Sequence, residues 1–319
     1  MQQFGRRYQL IIGSRSEGFA FNNLRVAFEV TKTLEKTPNP AKIRIWNLTR
    51  QHMGAVLSKL YTTVALSVGY EALRVIYAGD IVKSNVERDG MDFVLELECG
   101  DGNTAYTSAR ANMTLPAGTT DAQAARALVG TMPDTTRGAM GVTRTEGSAR
   151  ARVYCGNTRD CLSNLARANE ADWSIQDGAI VMLPANAAIA GAGPLISQDT
   201  GMVGMPRQTD NGLEVNCLCN PAILVGGVVR VQSILPHYSG DYKVVSVHHS
   251  GDFAEGDWLS QLVVIGGQFQ KVAKETPPKG PAAGSDGSGD DGGYEVGSQN
   301  LAALATGQKR VWSVAELAP

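Results

Sequence analysis

Histidine is the side chain best suited to bind metals or move protons near neutral pH, and the 319-residue sequence contains four. They are His52, His237, His248 and His249. None stands in the HExxH arrangement or in another metal-ligand spacing. His248 and His249 are adjacent in an alternating segment, so a strand would direct them to opposite faces. We predict that the four histidines lie at the surface or at the rim of a β structure.

Two cysteines form the only other metal-like pattern. Cys217 and Cys219 would share one strand face, where His237 or His248 could complete a zinc site. Structural zinc sites have wider cysteine spacing and a second matching pair, which favours buried thiols instead. The five cysteines, an odd number at irregular spacing, do not suggest a disulfide framework. The sequence therefore predicts no metal and no cofactor.

Other catalytic patterns do not occur in the sequence. It contains no nucleophile elbow, no Walker loop and no dinucleotide-binding glycine motif after a strand. The run SDGSGDDGG at 285–293 resembles a calcium loop, but it lacks the terminal glutamate, and a linker is favoured. We predict that the protein is not an enzyme.

Charge and hydropathy narrow the function classes. The 29 basic and 31 acidic residues give a net charge of −2, which argues against stable nucleic-acid binding. No apolar run approaches the roughly 20 residues of a membrane span, so membrane insertion is not expected. The first residues lack the apolar core of a signal peptide, which predicts a protein made in a cytoplasm or built there into a particle.

Alternating apolar residues predict that residues 1–108 form a first β unit. Leu24, Val26, Phe28 and Val30 recur with period two, as in a half-buried strand. A short helix is expected over 49–60, with Met53, Val56, Leu57 and Leu60 on one face. Further alternating segments complete a compact barrel or sandwich.

Residues 109–185 are predicted to form a small mixed α/β insert. Thr120 and Gln123 fit a capping box at the start of one helix, and a second helix is expected from residue 157 or 158. Asp177-Gly178 lies between two alternating runs, which is typical of a type I′ hairpin. The pattern then returns to strands over 186–273, a second β unit.

The last 46 residues differ in composition. Residues 274–300 are rich in Pro, Gly, Ser and Asp and are expected to form a disordered linker. Residues 301–319 regain apolar side chains, and tryptophan is a strong interface anchor. We predict that they form a C-terminal docking segment that uses Trp312, Val314 and Leu317.

Several segments together resemble the baseplate hub proteins of contractile-tailed phages. The first are PAKIRIWNL at 40–48 and the insert run LSNLARANEADWSIQDGAIVML. In the second β unit, the matching elements are Gly204–Pro206, Leu218–Pro221, Gly240–Val244, His249–Asp252 and Trp258. Each element alone also occurs in common turns of unrelated proteins. Their order and spacing over about residues 5–270 carry the resemblance.

The resemblance implies a mainly β fold with two tail-tube-like β-barrel domains, the mixed insert and a flexible C-terminal tail. It also implies a structural role in the virion, in which three chains form a pseudo-sixfold ring between the tail tube and the central spike. The expected partners are a second and third copy, the tail tube or tube-initiator protein, the spike, and the baseplate wedge and tape measure proteins. We recognise no lysozyme or peptidase module in these residues, so cell-wall cutting is not expected. The C-terminal tail departs from the pattern, and we expect it to tether the hub to a neighbouring baseplate protein.

Two alternatives stay open at this stage. A hub of a non-phage contractile injection system would work by the same mechanism in another particle. A carbohydrate- or host-binding β module would need clustered exposed aromatic side chains, and the four tryptophans are spread widely along the chain.

Overall fold

The computed structural model describes residues 5–14, 17–210 and 212–274, and the predicted linker and docking segment lie beyond residue 274, outside these ranges. The chain is mainly β, as predicted. No helix within the described ranges is long and apolar enough to cross a membrane.

The first part of the chain contains seven strands and one helix. The strands are β1 (Arg7–Gly13), β2 (Gly18–Phe21), β3 (Val26–Thr33), β4 (Pro40–Trp46), β5 (Thr63–Gly69), β6 (Arg74–Asp89) and β7 (Asp92–Gly100), and the helix is α1 (Arg50–Leu57).

The middle part alternates helices with short strands. It comprises α2 (Asn103–Ser108), β8 (Arg110–Leu115), α3 (Asp121–Val129), β9 (Thr136–Met140), β10 (Arg152–Asn157), α4 (Thr158–Ala168), β11 (Ala171–Gln176) and β12 (Ala179–Pro184).

The last part returns to strands. They are β13 (Ala187–Ile189), β14 (Leu195–Ile196), β15 (Arg207–Thr209), β16 (Gly212–Leu218), β17 (Val228–Val231), β18 (Gly240–Asp252), β19 (Trp258–Gly266) and β20 (Gln270–Val272).

One sheet of 13 strands runs through both β-rich parts of the chain. Its order is β15-β16-β19-β18-β3-β4-β7-β6-β5-β1-β2, with β17 and β14 attached beside β18. The two parts meet where β18 pairs antiparallel with β3, from Ser246 opposite Thr33 to Asp252 opposite Ala27. The first residues of β18 pair with β17 instead. The two parts are therefore joined by a strand ladder, which fixes their relative orientation.

Three main apolar clusters fill the described structure. The first packs between the strands of the first part and also takes in Cys219 and Trp258 from the last part. The second is confined to residues 105–182 and contains the inward faces of α3 and α4. The third lies among strands of the last part, from Ile196 to Val264. Because Trp258 packs edge-on against Phe28, with ring centroids 5.1 Å apart, the first cluster also spans the β3–β18 junction.

The sequence patterns that predicted helix starts and a turn in the middle part are confirmed. Thr120 and Gln123 exchange both hydrogen bonds of a capping box at the start of α3. Helix α4 begins at Thr158 and buries Leu162 and Leu165. Asp177 and Gly178 both have positive φ, 53° and 75°, as a type I′ turn between β11 and β12 requires.

The helix predicted over 49–60 is shorter than expected. It ends at Leu57, and Lys59 takes a left-handed conformation with φ of 60°. Met53 and Val56 are buried as predicted, whereas Leu57 and Leu60 are 47% and 56% exposed. The chain leaves the helix before Leu60, so the predicted apolar face loses its last turn.

We expect Gly102→Ala to destabilise the protein more than Gly90→Ala. Both glycines have positive φ, which by itself costs an alanine roughly 1 kcal/mol. A Cβ at Gly102 would also lie 2.5 Å from Ile175 Cδ1 in β11, whereas a Cβ at Gly90 meets nothing within 4 Å. Denaturant unfolding should therefore show a further loss of about 1–3 kcal/mol at Gly102. Equal losses would contradict the close contact between α2 and the β11–β12 hairpin.

Candidate assembly interfaces

The tip of the β11–β12 hairpin is held against the first part of the chain by a buried carboxylate. The backbone N–H groups of Asp177 and Gly178 donate to the two carboxylate oxygens of Asp101, at 2.5 and 3.0 Å. Asp101 is fully buried just after β7. Its pKa is raised, first because burial disfavours the charged form and then because Asp177 repels it.

Lys32 supplies the positive charge of this junction. Its side chain is 8% exposed, and Nζ donates to both carboxylate oxygens of Asp177 at 2.6 Å. Asp177 Oδ1 also accepts from the backbone N–H of Ala78, at 3.2 Å. One buried ammonium thus faces two carboxyl groups, and we call Lys32, Asp101 and Asp177 the junction triad.

Two amide side chains surround the triad and satisfy the adjacent backbone. Asn39 accepts from the Thr33 N–H and donates to the Ile175 carbonyl, both at 2.9 Å. Gln176 donates to the Thr33 carbonyl at 2.6 Å. Loop 34–39 and the hairpin are therefore linked by directional bonds, which hold the middle part in one orientation on the sheet.

The junction triad was not predicted from the sequence. The signal was present, because Lys32 continues the alternating set Val26, Phe28 and Val30 at a position that should be apolar. A lysine at such a position is either a strand end or a buried cation with a partner. Its partner, 145 residues away, could not be read from the sequence.

The cysteine and histidine residues do not form the imagined zinc site. His249, rather than His237 or His248, lies by Cys219, with 4.0 Å between Nδ1 and Sγ. His249 Nδ1 is 2.7 Å from Ser260 Oγ. No group of three or more potential metal ligands occurs within the described ranges. Cys217 and Cys219 are buried, as predicted.

His249 corrects the prediction that all histidines lie at the surface or rim. It is 1% exposed, whereas His248 on the opposite face of β18 is half-buried and bonds to Thr31 Oγ1 at 2.9 Å. Burial, followed by the nearby charges of Lys32 and His248, lowers the pKa of His249 to about 3. His249 is therefore a neutral core residue at neutral and mildly acidic pH.

A continuous polar surface covers one face of seven neighbouring strands, from β6 through β7, β4, β3, β18 and β19 to β16. Cross-strand register places its residues side by side: Lys83, Asn85, Glu96, Glu98, Lys42, Arg44, Glu29, Thr31, His248, Gln261 and Asn216. Lys42 pairs with Glu96 at 2.9 Å and Lys83 with Glu98 at 3.4 Å. We call this the polar sheet face; its charges are balanced, and it crosses the junction of the two β-rich parts without interruption.

Within the described residues, the path of the sheet ends at two edge strands: β2, which pairs with β1, and β15, which pairs with β16. Strand β14 forms the edge of the side branch. Unpaired strand edges are sites at which another chain can add a strand. The predicted docking residues Trp312, Val314 and Leu317 lie outside the described residues.

The tryptophans in the described part of the chain do not form a sugar-binding platform. Trp46, Trp173 and Trp258 are 8%, 2% and 1% exposed. Trp46 is covered by the guanidinium of Arg25, 4.6 Å from its ring centroid. The exposed aromatic cluster that a carbohydrate-binding module requires is therefore not provided by these three side chains.

Removing the ammonium of the junction triad should be costly. We expect Lys32→Ala to lower the free energy of unfolding by about 3–5 kcal/mol, since it removes the ammonium that faces the buried Asp101 and the partly buried Asp177. The matched control is Lys42→Ala, which breaks an exposed pair with Glu96 and should cost no more than about 1 kcal/mol. Urea unfolding of both variants measures the difference, and a loss at Lys32 as small as that at Lys42 would refute the triad's role.

His249 should make the fold sensitive to acid. The pKa of His249 is about 3 in the folded state and has its ordinary value near 6.5 in the unfolded chain. Between these two pH values only the unfolded chain binds the proton, so stability falls as pH drops through this window. At pH 5 the loss should be about 2 kcal/mol relative to pH 7.

Asp101 has the opposite effect over the same pH range, because its raised pKa stabilises the fold at lower pH. The informative quantity is therefore the difference between the wild type and His249→Asn, measured by urea unfolding at pH 7, 6 and 5. This difference should shrink as the pH falls, and a difference that is constant with pH would show that His249 does not titrate as expected.

The sequence and the fold both match known proteins. The family model described as baseplate hub gp41 matches residues 10–250. No curated protein matches the sequence significantly. Among solved structures, a tail protein from Neisseria meningitidis MC58 superposes with a TM-score of 0.58 at 11% identity, covering 82% of this chain and 97% of that one.

Two further structures share the fold. The 43 kDa tail protein of prophage MuSo2 from Shewanella oneidensis has a TM-score of 0.56 at 11% identity, over 81% of this chain and 97% of that one. An Escherichia coli component of the type VI secretion system, itself described as similar to the T4 bacteriophage tail proteins gp27 and gp5, has a TM-score of 0.54 at 11% identity, over 84% and 79% of the two chains. At this identity the likeness shows a common fold, while the family match extends over three quarters of the sequence. The chain belongs to the baseplate hub gp41 family of phage tail structural proteins.

Proposed function

We propose that three copies of this chain form a closed ring that joins the phage tail tube to the central spike. The observation that carries the proposal is the single 13-stranded sheet, in which the ladder between β3 and β18 holds two β-rich units in a fixed relation. Three chains then present six β-rich units. Such a ring matches a sixfold tube on one side and a threefold spike on the other.

Strand edges supply the contact between neighbouring copies in this proposal. The β15 edge of one chain approaches the β2 edge of the next, a head-to-tail arrangement that closes after three steps. Closure covers these two edges and so protects them from uncontrolled pairing. Both strands are short, four residues in β2 and three in β15, which limits pairing before the partners are in place.

The polar sheet face lines the channel of the proposed ring. Two of its lysines pair with glutamates across strands, and its three basic and three acidic side chains balance, so the wall carries little net charge. A wall without excess positive charge does not hold the phosphate backbone of DNA by counterion release. The balanced charges therefore allow DNA to pass through the channel without stable binding.

The remaining partners follow from the family's place in the tail. The ring contacts the tail tube or tube-initiator protein above, the spike below, and wedge and tape measure proteins around and within it. Assembly takes place in the host cytoplasm, and the protein acts through these contacts rather than through catalysis.

A hub of a non-phage contractile injection system is the second candidate. The shared fold with the type VI secretion component favours it. Finding the chain in purified virions would support the phage role, whereas finding it in a secreted contractile particle without a genome would support the second role.

The proposed ring predicts that three chains of 33.8 kDa, about 101 kDa, contribute to the mass of the complex with the spike protein, as measured by light scattering. Gln208→Pro on the β15 edge should reduce the trimer fraction at least about tenfold, because proline removes a backbone donor. Thr114→Pro makes the same change on β8, an edge strand outside the proposed contact, and should leave the trimer intact.

Melting temperatures of both variants exclude a general loss of folding. A monomer at every concentration, with the spike and tube proteins present, would refute the ring. A trimer that tolerates Gln208→Pro would refute the edge contact.

A further inference from the structure

A groove runs between helix α4 and loop 34–39. Loop residues Lys36 and Thr37 form one wall, Ala166 and Arg167 of α4 form the other, and Trp173 forms the floor. The indole of Trp173 is fixed from below, since its Nε1 donates to Ser163 Oγ at 3.0 Å. The cavity has a volume of about 510 Å³ and continues along the helix into a second one of about 330 Å³ near Arg159.

The dimensions of the groove suit a short peptide. From Arg159 to Arg167 the helix rises about 12 Å, which matches two turns of a docked helix or four extended residues. A volume of several hundred Å³ accommodates a large aromatic side chain. The groove therefore fits a segment with one bulky anchor and few other apolar residues.

Charges divide the groove into two ends. Lys36 and Arg167 lie over its middle, and Arg159, which pairs with Asp160 at 3.7 Å, lies further along the helix. Glu35, Glu170 and Asp172 line the opposite end. Neither Lys36 nor Arg167 forms an ion pair within the described ranges. An occupant with basic residues on one side of its anchor and an acidic residue on the other would match this order.

The described chain leaves the fold beside the acidic end. Val272 of β20 and Leu34, the residue before Glu35, both pack against a small cluster that contains Ala139 and Leu183. Lys274, the last described residue, bridges to Ala139. The C-terminal 45 residues thus start next to the groove wall.

We propose that residues 301–319 of the same chain bind in this groove, with Trp312 over the Trp173 floor. Lys309 and Arg310 then face Glu35, Glu170 and Asp172, and Glu316 faces Arg167 and Lys36. A spacer of about 34 residues reaches roughly 32 Å as a random coil, so the tether does not limit binding. Its short reach keeps the local concentration of the segment high.

The predicted docking segment then binds its own chain instead of a neighbouring protein. This binding does not depend on the hub function. Binding by a tethered segment keeps the groove and Trp312 covered until a competing partner displaces the segment.

The test is trypsin digestion of the full-length protein. Cleavage after Lys309 and Arg310 should be at least about tenfold slower than cleavage after Lys279 in the spacer, because proteolysis follows the population of the open form. Arg167→Glu should abolish this protection, and the double variant Arg167→Glu/Glu316→Arg should restore it. Arg150→Glu, an exposed change elsewhere in the middle part, should leave it unchanged.

Three outcomes would overturn the proposal. Equal cleavage after Lys279 and Lys309 in the wild type shows an unoccupied groove. Protection that survives Arg167→Glu, in a variant with unchanged melting temperature, places the segment elsewhere. Protection that disappears on dilution while the mass falls shows that a second copy provides the segment.

Discussion

The pairing of β3 with β18 is the constraint on which the rest of the structure depends. Seven register pairs, from Ser246 opposite Thr33 to Asp252 opposite Ala27, join segments more than 200 residues apart in the chain. Each backbone bond contributes only about 1 kcal/mol net, but the ladder aligns both sheet faces at once. On one face it brings Phe28 against Trp258 in the core. On the other it places Thr31 beside His248 and makes the polar sheet face continuous.

Strand β3 also contains Lys32 of the junction triad, near its C-terminal end. Lys32 lies two residues from Val30, which faces buried His249 across the ladder, so the ion pair and the neutral histidine share one environment. This closeness explains why the lysine charge adds to burial in lowering the pKa of His249. A buried ion pair contributes little net stability compared with apolar packing, but it defines one geometry, because any other orientation leaves a charge unpaired. The triad thus orients the middle part on the sheet.

The proposed ring also requires a fixed relation between the two β-rich units of each chain. Two units joined by a loose linker would sample many angles, and three such chains would not form a regular face. The ladder and the triad remove that freedom within each chain. In the proposed ring, closure would depend only on contacts between chains, and the balanced charges of the polar sheet face would leave the channel open to passing DNA.

Local features were determined by the sequence itself. The capping box of α3, the Asp177-Gly178 turn and the alternation in β3 depend on residues close together in the chain, and the structure confirms them. The order of short motifs was enough to indicate the family. Burial of His249, the partners of Lys32 and the loss of the last turn of α1 were decided by tertiary structure. Each depends on contacts between distant segments, and a period-two pattern specifies which face of a strand is apolar but not which strand or charge will lie against it.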